Sequence, residues 1–278
     1  MNILVTGHTG FIGSHLCERL SKEHDLFFLI RPHSEKDILG DNGKTFIFVE
    51  DNILELHEFI YKNKIDGIIH LASLYIQRHI VTDVNNLIKT NIFLGTAILE
   101  AAYNTDIKWF INTGTIWQNY NVPPYSEIYN PVNLYAATKQ AFIDIAKYYV
   151  DISNIRFCTI KLCDTYGPND TRRKIYSLFE ENAKTGEKLK MSPGEQRIDI
   201  LHIDKVVDGF VKLIHFLEKN VELRDEYVLT SGNHYTLKEL ARRYEKDNDV
   251  KLNIEWGALP YRNREVMIPY IGHKIPNM

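Results

Sequence analysis

Tyr135 and Lys139 stand four residues apart in Asn133-Leu134-Tyr135-Ala136-Ala137-Thr138-Lys139. On a helix such residues share a face, so an ammonium can lie beside a phenol and favour its ionised form. A phenol tuned in this way can give or take a proton. A second expressive stretch opens the chain: Thr6-Gly7-His8-Thr9-Gly10-Phe11-Ile12-Gly13. Backbone N–H groups at a helix start can hold a pyrophosphate, and side chains there would block its approach. The glycines recur at intervals of three and three, unlike the two and three of many dehydrogenases. Their place between a strand pattern and a helix pattern makes the loop informative; otherwise it is a turn packing helix on strand. Together the two stretches outline a redox site, with room for a dinucleotide and a group that moves protons.

The surrounding elements must bring these groups together. Buried-strand patterns are predicted over residues 1–6, 26–30, 45–49, 67–70, 107–112 and 155–162, and helical spacing over 11–21, 87–103 and 134–150. Strands alternating with helices imply a parallel sheet covered on both faces, a doubly wound α/β fold of Rossmann type. Beyond Tyr166 the texture changes: Gly167-Pro168-Asn169-Asp170 and Ser192-Pro193-Gly194 read as loops, between shorter and more basic elements. The expected organisation is a dinucleotide-binding domain over 1–165 and a smaller, partly interleaved substrate lobe over 166–278, with a cleft between them.

The end of the second strand bears on cofactor choice, because a carboxylate there would bind ribose hydroxyls and repel a 2′-phosphate. Here it carries Arg31, with His33, Ser34 and Lys36 nearby. NADP(H) is therefore favoured, with NAD(H) the alternative, unless Arg31 is a solvated surface charge. Asp51, after the third strand, is either an acceptor for adenine amino hydrogens or the N-cap of a helix beginning at Ile53.

The chain has 278 residues, 33 basic and 36 acidic, for a formal charge of -3. Net charge thus points to neither nucleic acid nor an anionic membrane as a partner. The cysteines Cys17, Cys158 and Cys163 lack metal-ligand spacing and fit a reducing compartment; no metal is expected. No basic segment followed by an apolar stretch opens the chain, and no apolar run reaches the length of a membrane span. A cytoplasmic protein is expected.

The glycine loop, His70-Leu71-Ala72, Asn91 in Thr90-Asn91-Ile92-Phe93-Leu94-Gly95-Thr96, and the Tyr135/Lys139 pair together resemble the extended short-chain dehydrogenase/reductase family, the NAD-dependent epimerases and dehydratases. Members act mostly on nucleotide sugars. The resemblance implies a hydroxyl four residues before an aromatic at the end of the fifth strand, here Thr113 before Trp117. Thr113, Tyr135 and Lys139 become the expected catalytic set: Tyr135 donates a proton, Thr113 orients the reacting oxygen, and Lys139 holds the nicotinamide ribose and lowers a phenol whose free pKa is about 10. The implied cofactor site comprises Gly7, Gly10, Phe11, Ile12, Gly13, Arg31, Asp51, Asn52, Leu71, Ala72 and Asn91 with Tyr135 and Lys139. For the substrate it comprises Thr115, Asn169, Arg172, Arg173, Arg197 and Arg262; each arginine is otherwise a solvated surface charge. His202 and Asp204 are expected to end a strand and cap the next helix.

Departures from the family pattern narrow the reaction. Family 4,6-dehydratases follow the threonine with Asp-Glu, whereas this chain has Gly114-Thr115; the cysteine and histidine of the 3,5-epimerase-reductases are also missing beside Thr113. Hydride transfer at a sugar C4 remains. Arg31 favours net reduction over a 4-epimerase recycling tightly bound NAD. The resemblance is nearest to bacterial nucleotide-sugar 4-ketoreductases of the CDP-abequose synthase group, with Asn112-Thr113 and Gly194-Glu195-Gln196 contributing. The implied activity is NADPH-dependent reduction of a nucleotide-diphosphate 4-keto hexose, 6-deoxy or dideoxy, in surface-polysaccharide synthesis. The alternatives are a 4-epimerase and a non-catalytic cofactor-binding sensor or scaffold. Ile198 stands where the family has an arginine, so Arg197 is shifted onto the opposite strand face. Lys161 and Asp164 replace a usual Arg and Asn. The chain stops at Met278, where relatives commonly continue with another helix. The resemblance also implies a homodimer paired through helices 87–103 and 134–150.

Overall fold

In the computed structural model, which describes residues 1–32 and 44–278, the strands β1 Asn2–Thr6, β2 Asp25–Ile30, β3 Thr45–Ile47, β4 Gly67–His70, β5 Trp109–Thr115 and β6 Arg156–Leu162 alternate with helices. His33, Ser34 and Lys36 lie outside the described residues. Strand residues alternate between faces, and burial follows: Ile3, Val5, Ile69 and Ile111 enter one apolar core, while Leu4, Ile68 and Phe110 enter the other. The first core is covered by α1 (Phe11–Leu20) and α7 (Ile203–Glu218). The second lies under α2 (Ile53–Lys62), α4 (Leu94–Ala102) and α5 (Leu134–Asp151). Both faces are therefore apolar, as a doubly wound sheet requires.

The second half of the chain contributes β7 Asp164–Tyr166, β8 Leu189–Met191, β9 Arg197–Ile198, β10 Ile200–His202, β11 Glu226–Leu229, β12 Tyr235–Thr236 and β13 Ile254–Trp256. Of these, β11 joins the main sheet, whose order is β11-β6-β5-β4-β1-β2-β3 with every pairing parallel. The order reverses between β1 and β4, where ligands of open parallel sheets gather beyond the strand ends. A third core gathers around Phe179 of α6 (Ile175–Thr185) and Leu237 and Leu240 of α8 (Leu237–Asn248).

Three elements differ from expectation. The helix predicted over 87–103 is broken: α3 (Asp83–Ile88) passes into a π turn at Lys89–Phe93 before α4 begins. The third strand stops at Ile47 because Asn52 takes the next backbone groups, accepting from Val49 N at 3.0 Å and donating to Ile47 O at 3.0 Å. In contrast, β5 runs on to Thr115 beside β6, with Thr113 opposite Ile160 and Thr115 opposite Leu162. Thr113 therefore lies within the strand. His202 caps α7, its ring accepting from Asp204 N at 3.3 Å.

Candidate active site

At the switch point the chain leaves β1 through Gly7, whose φ of 73° suits glycine. A Cβ there would stand 2.7 Å from Ala72 N, so the glycine admits the loop leaving β4. At Gly13 a Cβ would come within 2.1 Å of Gly7 O; this glycine lets α1 pack on the loop. Gly10 forms the N-cap of α1 without a side-chain cap, leaving the helix N-terminus open to a ligand. Thr6 fastens the neighbouring loop, accepting from Ala72 N at 3.1 Å and lying 2.9 Å from His70 Nδ1.

A cleft of about 1060 Å³ runs from this loop to β8 and the start of α8. Gly7, Gly10, Phe11, Ile12, Gly13, Leu71, Thr113, Thr115, Tyr135, Arg172, Arg173 and Arg262 all line it. Asp51, Asn52, Ala72, Asn91, Lys139, Asn169, Arg31 and Arg197 do not. Arg31 is exposed just beyond β2, and Asp51 is exposed before α2. The N-cap of α2 is Asn52, so Asp51 does not cap that helix. Asn169 is an exposed loop residue in the left-handed region, φ 62°, and is absent from the cleft wall.

Thr113 Oγ1 donates to His70 O at 2.8 Å, which turns its lone pairs toward the cleft. Thr115 caps the short turn that follows, accepting from Trp117 N, while Gln118 Oε1 accepts from Thr115 N at 2.9 Å. Asn133 caps α5 by accepting from Ala136 N at 3.0 Å, which sets Tyr135 in the first turn. Burial raises the Tyr135 phenol, opposed by the Ser73 hydroxyl and the charges of Lys174 and Arg172. Lys139 is almost wholly buried, its Nζ has no hydrogen-bond partner, and burial lowers it to about 8. This qualifies the expectation of an ammonium paired directly with the phenol. Beneath both, burial and the Lys139 charge push His70 down to about 3, so its ring is neutral.

Asn91 sits in the π turn and is saturated by protein partners rather than facing the cleft. Its Oδ1 accepts from Leu74 N at 2.8 Å and Ser73 Oγ at 3.2 Å; its Nδ2 donates to Leu74 O and Thr138 Oγ1, each at 3.0 Å. The loop leaving β4 is thereby tied to α5.

Across the cleft, the arginines are already engaged. Arg172 forks onto Asp170 at 2.7 and 2.8 Å and lies 4.2 Å over the Phe11 ring, linking the segment before α6 to the glycine loop. Arg173 is exposed and 3.5 Å from Glu181. Arg262 makes two bonds to Glu265, at 2.8 and 2.6 Å. Arg197, exposed on β9, donates to His234 O at 2.8 Å and lines a smaller adjoining pocket of about 300 Å³. The opposite-face expectation accounts for its absence from the main cleft. Asp164 is balanced by Lys174 at 3.1 Å. Ser73, Tyr75, Lys174 and Glu265 belong to this wall and were not singled out from the sequence. Lys174 had a signal, the run Arg172-Arg173-Lys174; an exposed serine in a loop had none.

The buried, unpartnered Lys139 Nζ and the side-chain-free glycine cradle fit a bound dinucleotide, which would bring hydroxyls to one and phosphates to the other. Among the described residues, no group of three or more His, Cys, Asp or Glu could hold a metal ion, and no helix is long and apolar enough to cross a membrane.

The model of a family described as "NAD dependent epimerase/dehydratase family" matches residues 3–228. CDP-abequose synthase of Salmonella muenchen is 27% identical over 270 residues, covering 95% of this chain and 87% of that protein. The Yersinia pseudotuberculosis CDP-abequose synthase is 27% identical over 274 residues, covering 97% and 92%. Among solved structures, UDP-glucuronic acid 4-epimerase from Bacillus cereus in complex with UDP-glucuronic acid and NAD superposes with a TM-score of 0.81 at 20% identity, covering 98% of this chain and 90% of that one. That likeness concerns the fold.

Proposed function

The chain belongs to the NAD dependent epimerase/dehydratase family, and from that premise we propose that it reduces the 4-keto group of a nucleotide-diphosphate-linked hexose, 6-deoxy or dideoxy, with NADPH. The state of the cleft's carboxylates carries this reading. Among the described residues lining the cleft only Asp164 and Glu265 are acidic, and both are ion-paired, to Lys174 and Arg262. A carboxylate held by a cation is a poor base. None follows Thr113, where Gly114 and Thr115 stand, so elimination of water lacks an acid–base pair. Proton delivery by Tyr135 to an oxygen gaining negative charge remains.

When bound, the nicotinamide supplies the hydride. Tyr135 gives its proton to the C4 oxygen, and Thr113, its own hydrogen committed to His70 O, accepts from the new hydroxyl and orients it. Lys139 holds the ribose and supports the phenolate by its charge. Gly7, Gly10 and Gly13 leave space for the pyrophosphate, and Arg31 has no carboxylate beside it in sequence to repel a 2′-phosphate. The names of the relatives, nucleotide-sugar enzymes over nearly the full chain, agree with this substrate class.

Turnover of a panel of CDP-, dTDP-, GDP- and UDP-linked 4-keto-6-deoxy sugars with NADPH and NADH tests the reading. At least one should consume NADPH in stoichiometry with 4-hydroxy product. Purified protein carrying NAD that does not exchange, and interconverting 4-epimers without net consumption, would overturn it.

A further inference from the structure

Two aromatic side chains extend the wall of the cleft beside the catalytic phenol. The Tyr75 ring stands edge-on to Tyr135 with centroids 5.1 Å apart, and the Trp117 indole lies 5.7 Å from Tyr75. All three line the cleft, together with Ile116. Backbone bonds fix both added rings before any ligand arrives. Leu74, next to Tyr75, donates its N–H to Asn91 Oδ1 and accepts from Asn91 Nδ2. Trp117 N donates to Thr115 Oγ1 at 3.3 Å, and Trp117 O accepts from Val132 N at 2.9 Å. Tyr75 is nonetheless 41% exposed, an anchored aromatic left open in a cleft. Resting on the reading of Tyr135 and Thr113 as the pair at the C4 oxygen, we propose that Tyr75 and Trp117 determine specificity. They receive a sugar carbon that lacks its hydroxyl, the C6 methyl or the C3 methylene, and disfavour the hydroxylated counterpart.

The chemistry of the wall supports this choice. Its charged groups are engaged: Lys174 pairs with Asp164 at 3.1 Å and stands 4.4 Å over the Tyr75 ring, while Arg172 and Arg262 hold Asp170 and Glu265. Thr113 has its hydrogen on His70 O. A hydroxyl pressed against the two rings would shed water without gaining a partner there, whereas a methyl or methylene group gives up only apolar surface and gains dispersion contact. Either carbon is within reach of C4, since C3 is bonded to it and C6 is attached through C5.

The test is isothermal titration calorimetry with CDP-, dTDP-, GDP- and UDP-glucose and with their 6-deoxy, 3-deoxy and 3,6-dideoxy counterparts. In the nucleotide series that binds, a deoxy ligand should bind about tenfold or more tightly than the glucose compound, and the 6-deoxy and 3-deoxy arms identify the carbon. Tyr75→Asn, which offers an amide to a hydroxyl, and Trp117→Ala should both bring the ratio of affinities toward unity; should Trp117→Ala fail to fold by circular dichroism, Tyr75→Asn decides alone. Equal affinities in the wild type, a ratio that survives in a folded variant, or no binding in any series overturns the proposal. Binding requires no turnover, so a protein that shows the preference but reduces no keto sugar keeps this specificity while the reductase reading fails, and one that reduces keto sugars yet binds both kinds equally does the reverse.

Discussion

Burial raises the Tyr135 phenol, and the structure opposes that shift from outside its helix, through Ser73, Lys174 and Arg172. If Tyr135 is the proton donor, Tyr135→Phe should cut turnover by about 100- to 10,000-fold while leaving cofactor affinity near wild type, as read by steady-state kinetics and a binding titration. Lys139 makes a separate, thermodynamic prediction. Its folded pKa of about 8 lies below the ordinary 10.5, so between those pH values the unfolded chain binds more protons and stability rises with pH. Below pH 8 the buried charge imposes its full cost. Lys139→Met should therefore stabilise the cofactor-free protein at pH 7 by about 3 kcal/mol, with the gain fading toward pH 10, and abolish turnover. Denaturant melts at the two pH values check the sign; a mutant less stable than wild type at pH 7 contradicts it.

Among the elements, the π turn at Lys89–Phe93 has the clearest consequence. By widening one turn between α3 and α4 it aims the Asn91 amide at the β4 loop and at Thr138 of α5 together. Asn91→Ala would strip partners from Leu74 N and Leu74 O, and should destabilise the fold by about 2 to 3 kcal/mol. It should also lower kcat, because Ser73 and Tyr75 lose their anchor; urea unfolding and kinetics read the two effects. Apolar spacing predicted helix across this stretch but not the interruption, since a π turn changes which residue faces which neighbour without changing composition. Strand positions in the main sheet were better marked. Ile3, Leu4 and Val5 alternate between two cores, so each bears its own burial signal.

Across the whole molecule, segments far apart in sequence are tied together. The Arg172 guanidinium rests on Phe11, α7 packs over α1, and β11 closes the sheet beside β6. Self-association belongs to the same scale: α5 carries Tyr148 at 61% exposure, and Ile88 at the end of α3 is 43% exposed. A homodimer through this surface should appear in light scattering at micromolar concentration, and Tyr148→Glu should shift it toward monomer; a wild-type monomer would rule the dimer out. By itself, the sequence determined the doubly wound fold and the glycine-rich turn between its first strand and first helix, because strand alternation and a helix start are local properties, whereas Thr113 was singled out only through the family resemblance. Only the tertiary structure decided that Lys139 lies unpartnered, that Asn91 clamps a loop, and that Arg172 and Arg262 are already held by carboxylates. Those outcomes depend on which side chains meet across long chain separations, and burial and pairing energies at such meetings are set by the packed geometry rather than by spacing along the chain.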